Sequence, residues 1–285
     1  MSAQFDVRPS PIAGQWYPGD PKQLSTSVDR YIHEAKLPEL HGEVVAIITP
    51  HAGHIYSGPV AGYAFATLLG YKPELVAVVS PMHYAYSEQL LTTAHEAYET
   101  PLGIIPVDAE AVETLDDLLK NELGYGLSRI RRDREHSLEI ELPFLQRVIG
   151  PEFKLLPVMV RDQSQRVTRI LGQCLAKTLR GRNALLVAST DLSHFYPQRV
   201  ANELDAEMLH CIESFDPEAV IQAEEEGRGF ACGRGALAAV LWAAKDLGAN
   251  TVKILNHATS GDVTGDTSQV VGYGAAVVLR QTTAS

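Results

Sequence analysis

Three histidines follow directly on runs of apolar residues that end at a proline or a polar turn. Residues 44–48 run into Thr49-Pro50-His51, and residues 75–79 run into Ser80-Pro81-Met82-His83. Residues 185–188 run into Ser189-Thr190-Asp191-Leu192-Ser193-His194. In open α/β sheets, ligands bind in the crevice outside the carboxyl ends of the strands. If these strands are parallel, His51, His83, Asp191 and His194 converge. Cys232, in Ala231-Cys232-Gly233-Arg234-Gly235, opens an apolar helical stretch. There the helix dipole and free N–H groups favour a thiolate. Two imidazoles and one anionic donor are a common ligand set for Fe(II) or Zn(II), with positions left for water or substrate. Each residue alone has a plainer role. A loop histidine is usually solvated or capping, Asp191 with Ser193 can cap a turn, and a free cysteine is usually a small buried hydrophobe.

Strand and helix alternate from Val44 to Val187, which predicts an α/β fold with a mainly parallel central sheet flanked by helices, as one domain over residues 1–285. Strands are expected at 43–49, 75–80, 90–94, 154–160 and 184–189, with 251–257 and 270–279 closing the chain as an antiparallel pair. Residues 75–80 are nearly continuously apolar, as in strands covered on both faces. Helices are expected at 21–35, 59–69, 108–119 with Asp108 as N-cap, 137–148, 164–179, 201–213, 217–225 and 236–245. Residues 7–20 hold three prolines and two glycines around Trp16-Tyr17 and read as an extended capping segment. Residues 98–103 read as a turn, and 129–135 as a charged stretch.

Composition narrows the function classes. The net charge of -11 disfavours nonspecific nucleic-acid binding and docking on anionic membranes. No apolar run approaches the ~20 residues of a membrane span. Residues 1–6 lack the basic and apolar regions of a signal peptide, and three widely spaced cysteines do not make a disulfide framework; both point to the cytoplasm. Cys174 and Cys211 lie in helical patterns and are read as core. His33, His41, His95, His210 and His257 have no supporting context. The glycines near His51 do not form a GxxxxGK[ST] phosphate loop.

The motifs also resemble a known family. Pro50-His51-Ala52-Gly53 with Tyr56-Ser57-Gly58 resembles the PHAGY-x-YSG signature of the Memo family, also called AmmeMemoRadiSam system protein B. Ala13-Gly14-Gln15-Trp16-Tyr17, Ser80-Pro81-Met82-His83, Glu135-His136-Ser137-Leu138-Glu139 with Leu142-Pro143-Phe144, Ser189-Thr190-Asp191-Leu192-Ser193-His194 and Cys232-Gly233 resemble its further motifs in the same order. The family is similar in fold to LigB-type (class III) extradiol dioxygenases. The resemblance implies His51 and His83 as metal ligands, with Cys232 where those dioxygenases place a glutamate. It implies His194 as acid/base with Asp191 close by. His54, Tyr56, Tyr84, His136, Glu139 and Arg234 would surround the site or bind substrate. His54 stands where the family usually has tyrosine, and Tyr84 replaces a common second histidine.

The implied cofactor is Fe(2+), with Zn(2+) or Cu as alternatives. The implied role is redox, with radical-SAM and AMMECR-type proteins as partners and a small molecule or peptide as ligand. A thiolate makes the metal softer than a glutamate would and is itself oxidisable. Two other readings compete. One is a metal-free hydrolase with Cys232 as nucleophile and His194 as base. The other is a binding module for a ligand or peptide, with Arg131, Arg132 and Arg134 as a local patch.

Overall fold

The computed structural model describes residues 6–281, so the signal-peptide reading of the first five residues lies outside the described residues. In chain order the elements are β1 (Val7–Arg8), α1 (Pro21–Glu34), β2 (Glu43–Thr49), α2 (His54–Ala66), β3 (Leu75–Pro81), β4 (Leu90–Thr93), β5 (Ala97–Thr100), β6 (Gly103–Pro106), α3 (Ala109–Leu123), β7 (Ser128–Ile130) and α4 (Leu142–Val148), with a 3-10 turn at Glu139–Glu141 before it. There follow β8 (Lys154–Val160), α5 (Gln165–Leu179), β9 (Ala184–Ser189), β10 (His194–Tyr196), α6 (Gln198–Glu213), α7 (Pro217–Glu225), α8 (Arg234–Asp246), β11 (Thr251–Thr259), α9 (Ser260–Thr264) and β12 (Val270–Arg280).

The large sheet has the order β10-β12-β2-β9-β3-β8-β4-β7, with β11 also paired to β12. Its centre, β2-β9-β3-β8, is parallel. At the flanks β12 runs against β2, β10 and β11 against β12, and β4 against β8, while β7 lies parallel to β4. The parallel part of the mainly parallel sheet is therefore the part that carries the site, and the closing strands pair antiparallel as expected. The register is level there, with Thr49 opposite Ser189 and Val79 opposite Ala188. All three strands release their loops at one edge.

β3 is buried at every position. Its side chains alternate between two cores, as a pleated strand requires. Leu75, Ala77 and Val79 pack with Leu115, Leu171, Leu175 and Leu237 from α3, α5 and α8. Val76 and Val78 pack with Leu24, Val28, Phe65 and Phe144 from α1, α2 and α4. Helix α2 reaches α1 closely because Gly62 has no side chain; a Cβ there would stand 2.3 Å from the Tyr31 carbonyl oxygen. Among the described residues, no helix is long and apolar enough to cross a membrane.

Some boundaries differ from expectation for local reasons. Helix α2 begins at His54, upstream of Pro59, because its first turn is held from outside the usual ladder. His54 N–H donates to the Trp16 carbonyl at 2.8 Å, and the Ser57 hydroxyl donates to the Ala52 carbonyl at 2.7 Å. Residues 98–103 are the facing ends of a β5–β6 hairpin rather than a turn alone, and β1 joins β5 in a small separate sheet. Asp108 caps α3 by accepting from Ala111 N–H, as expected. The charged stretch includes β7 and two buried acids, Asp133 and Glu135.

Candidate metal centre

Three loops bring the site together. After β2, the backbone N–H groups of His51 and Ala52 donate to Asp191 Oδ1 at 2.7 and 3.3 Å. Asp191 thereby ties the loop of β2 to that of β9. His51 is buried, with Nδ1 3.0 Å from Ser189 Oγ. After β3, His83 N–H donates to Glu135 Oε2 at 2.6 Å, and His83 Nδ1 lies 2.9 Å from Glu135 Oε1. Glu135 also accepts from the N–H groups of His136 and Ser137. Burial pushes the Glu135 carboxyl up. The His83 hydrogen bond, the charges of His83 and His136 and the Ser137 N–H outweigh it and hold it at about 2. Glu135 is thus an anion that fixes one imidazole and starts the turn carrying the next.

That next residue, His136, faces the other two. Donor atoms of His51, His83 and His136 all lie within 4.8 Å of one another. The His83 and His136 rings stack with centroids 4.8 Å apart, and His51 meets both edge-on. Burial lowers the His51 pKa well below its usual value, and the imidazoles of His136, His83 and His194 lower it further. Burial likewise brings His136 down to about 4, against the pull of Glu135. His51 and His136 are therefore neutral rings, and donor atoms of all three histidines lie close together. Such a set repels protons and suits a cation, because metal binding uses the deprotonated imidazole. The acceptors behind the rings hold them in place, as partners of metal-bound histidines commonly do.

Cys232 joins the cavity through His51, its Sγ 3.1 Å from His51 Nε2 and 3.3 Å from the Asp191 backbone N that donates to it. Among the described residues, the set with mutually close donors is the three imidazoles, without the sulfur. The thiol does not behave as its place before α8 suggested. Burial, and then the Asp191 carboxylate, push it well above its ordinary value, overriding the helix terminus. Asp191 itself is raised by burial to about 7, although the N–H groups of His51 and Ala52 oppose this. His194 has Nδ1 2.8 Å from the Leu192 carbonyl, which only accepts; Nδ1 is therefore the protonated nitrogen and Nε2 is free.

A family profile described as Memo-like protein matches residues 8–277. The chain belongs to the Memo family. A MEMO1 family protein of Nitrosopumilus maritimus is 36% identical over 273 residues, covering 94% of this chain and 98% of that protein. One from Thermotoga neapolitana is 37% identical over 287 residues, covering 95% and 99%. The solved structure of an uncharacterized protein from Escherichia coli K12 has a TM-score of 0.52 at 15% identity, covering 82% of this chain and all of that one. That likeness is one of fold.

In this Memo chain the remaining candidate residues divide by position. His136, first read as a surrounding residue, belongs to the cluster. Glu139 is buried among Arg8, Ser10 and Tyr17, bonded to Tyr17 Oη at 2.7 Å. His54 is buried, donates from Nε2 to the Ile140 carbonyl at 3.0 Å and packs against Phe144. Arg234 pairs with Glu224 at 3.1 Å. Tyr84 lines a hollow of about 280 Å³ with His136, Arg134 and Trp16. Tyr56 lines a larger cleft of about 740 Å³ with Trp16, Phe195 and Tyr273. The larger cleft does not reach the three imidazoles, whereas the smaller hollow does, through His136. Trp16 borders both and lies 4.1 Å from the His136 ring. Ser189, Glu135 and Trp16 stood in the quoted motifs without a role of their own, and Glu141 was not singled out from sequence. Glu135 had one available signal, its place directly before His136.

Proposed function

We propose that this Memo-family protein is a non-haem iron protein with a redox role, in which His51, His83 and Cys232 hold Fe(II) and His136 stands beside them. The observation that carries this is the position of His51. Its Nε2 lies 3.1 Å from Cys232 Sγ while the ring belongs to the three-imidazole cluster. Donors around one ion with ~2.1 Å bonds sit about 3–4 Å apart, a span the His51–Cys232 contact already has. A thiolate with imidazoles suits iron and also copper and zinc, which remain the alternatives. Bound there, iron supplies a redox couple and a Lewis-acidic centre.

The chain's own groups supply the rest. Glu135 accepts from His83 Nδ1–H and orients that ring. Cys232 would hold the cation as a thiolate, its proton released, because a cation's charge offsets the penalty that burial places on the thiolate. Asp191, poised near neutral pH, has Oδ2 4.0 Å from His51 Nε2 and can take up or release that proton. His194, with Nε2 free, can accept a second. The pathway partners implied by the family resemblance, radical-SAM and AMMECR-type proteins, are part of the same proposal.

The test is metal content of untagged protein purified without oxygen. Near-stoichiometric iron in the wild type, lost in the His51→Ala/His83→Ala double variant and reduced in Cys232→Ser, is the expected result. Iron retained by the double variant would overturn the assignment. The 3.1 Å Cys232–His51 contact also favours a second reading, a metal-free thiol–imidazole pair. The base suggested by sequence for such a thiol, His194, is not the imidazole against the sulfur. The raised thiol value opposes this reading. Rapid, selective alkylation of Cys232 in metal-free protein near neutral pH would support it.

A further inference from the structure

Behind His51, the Ser189 hydroxyl stands at the centre of three contacts. Ser189 Oγ lies 2.6 Å from the Ser137 carbonyl oxygen, 2.8 Å from Glu141 Oε1 and 3.0 Å from His51 Nδ1. A serine hydroxyl has one proton and two lone pairs, and a carbonyl oxygen can only accept. The hydroxyl proton therefore goes to Ser137, across the shortest contact. Glu141 Oε1 and His51 Nδ1 then face lone pairs, and each must bring a proton of its own. An ionised Glu141 would leave two acceptor oxygens against each other at 2.6 or 2.8 Å. All these groups are buried, where an unmatched polar contact is costly. The other Glu141 oxygen, Oε2, accepts from Thr49 Oγ1 at 3.3 Å. Among the described residues no cation pairs with Glu141.

We propose that Glu141 is a neutral carboxylic acid that donates to Ser189, and that Ser189, its own proton held by the Ser137 carbonyl, is the positioning residue keeping the proton of His51 on Nδ1 and the lone pair on Nε2. The contrast with His83 supports this. There the carboxylate of Glu135 accepts the imidazole N–H directly, at 2.9 Å, and must be ionised. At His51 a serine stands between ring and carboxyl. With its own proton committed to Ser137, it can serve the ring as an acceptor while it also takes the carboxyl proton. Burial acts in the same direction, raising the Glu141 carboxyl well above its usual value. The consequence at Nε2, a lone pair aimed at the cation and at Cys232, rests on the metal reading above. The proton placement does not.

Two spectra on metal-free protein test it. Nitrogen NMR of labelled histidine should show His51 protonated at Nδ1. Infrared difference between wild type and Glu141→Gln should show a protonated-carboxyl C=O band present only in the wild type. Glu141→Gln, whose amide can donate to Ser189, keeps the His51 tautomer. Ser189→Ala, which removes the acceptor behind Nδ1, shifts His51 toward the Nε2–H form and weakens metal binding about 10- to 100-fold. Wild-type His51 protonated at Nε2, or no carboxyl band lost in Glu141→Gln, overturns the proposal, whether or not the Ala variant folds. A wild type that takes up no metal but keeps the tautomer and the band overturns the metal reading and leaves the proton placement standing.

Discussion

One irregular loop, residues 133–141, feeds two buried polar clusters of opposite character. Asp133 and Glu139 turn to Arg8, a side chain only 1% exposed. The guanidinium donates to Asp133 Oδ2 and Oδ1 at 3.0 and 2.7 Å, to Glu139 Oε2 at 2.5 Å and to the Glu135 carbonyl at 2.8 Å. Every charge there has a partner. Glu135 and His136 turn to His51 and His83, where one carboxylate serves several donors, His51 and His136 are left neutral, and the three rings stand close together. The first arrangement is closed and can only hold the loop in place. The second is open to one further positive charge. Burial is common to both; whether the donors and acceptors balance separates framework from site.

Breaking the closed cluster should have the largest effect. Arg8→Met leaves Asp133 and Glu139 buried without a cation and should cost about 3–5 kcal/mol, read as a lower urea midpoint. If the comparison is right, the same change also releases His136 and lowers metal retention; unchanged stability would sink it. Glu135→Gln comes next. Metal affinity should fall about 10- to 100-fold by competition with a chelator, because the amide no longer offers His83 and the loop N–H groups one anion.

A third test separates proton linkage from metal binding. Burial holds His54 at about 4, below its unfolded value near 6.5. Between those values the unfolded chain binds a proton that the native chain does not, so stability rises with pH across that window and levels above it. In metal-free protein, His54→Gln should flatten this rise by up to about 1.4 kcal/mol per pH unit. An unchanged slope in urea titrations at pH 4.5, 5.5 and 6.5 would refute the assignment. The smallest effect belongs to an exposed pair. Arg147 bridges Asp29 through two 2.7 Å bonds in a solvated setting. Arg147→Ala should cost less than about 1 kcal/mol and leave metal content unchanged.

Much of the site could be read from the chain before its structure. The apolar runs before His51, His83 and Asp191 end where strands end, and level parallel strands place those ends together. The antiparallel β11–β12 pair and the Asp108 cap were equally local, and both cysteines read as core are buried. His136 could not be placed in the cluster because an irregular loop carries it, and that loop is shaped by Arg8, 125 residues away from Asp133 in sequence. Asp133 and Glu135 read as members of a charged stretch for the same reason: their partners come from other segments. The thiol of Cys232 was judged by its helix terminus, but its value depends on burial and on Asp191, which arrives from another strand. Local pattern located the donors. Long-range electrostatics decided their protonation.

The order of strands has a consequence for synthesis. β9 lies between β2 and β3, so the loops of His51 and His83 flank a strand that emerges about a hundred residues after β3. His51 and Cys232 are 181 residues apart. A nascent chain holding both early histidines lacks the strand that spaces them and the serine and aspartate that anchor His51. Metal ions met during translation find no finished chelate, unlike the compact motifs in which an ion drives folding. On the proposed metal reading, loading would follow release of most of the chain from the ribosome, and capture of a cation during refolding would time the insertion of the middle strand.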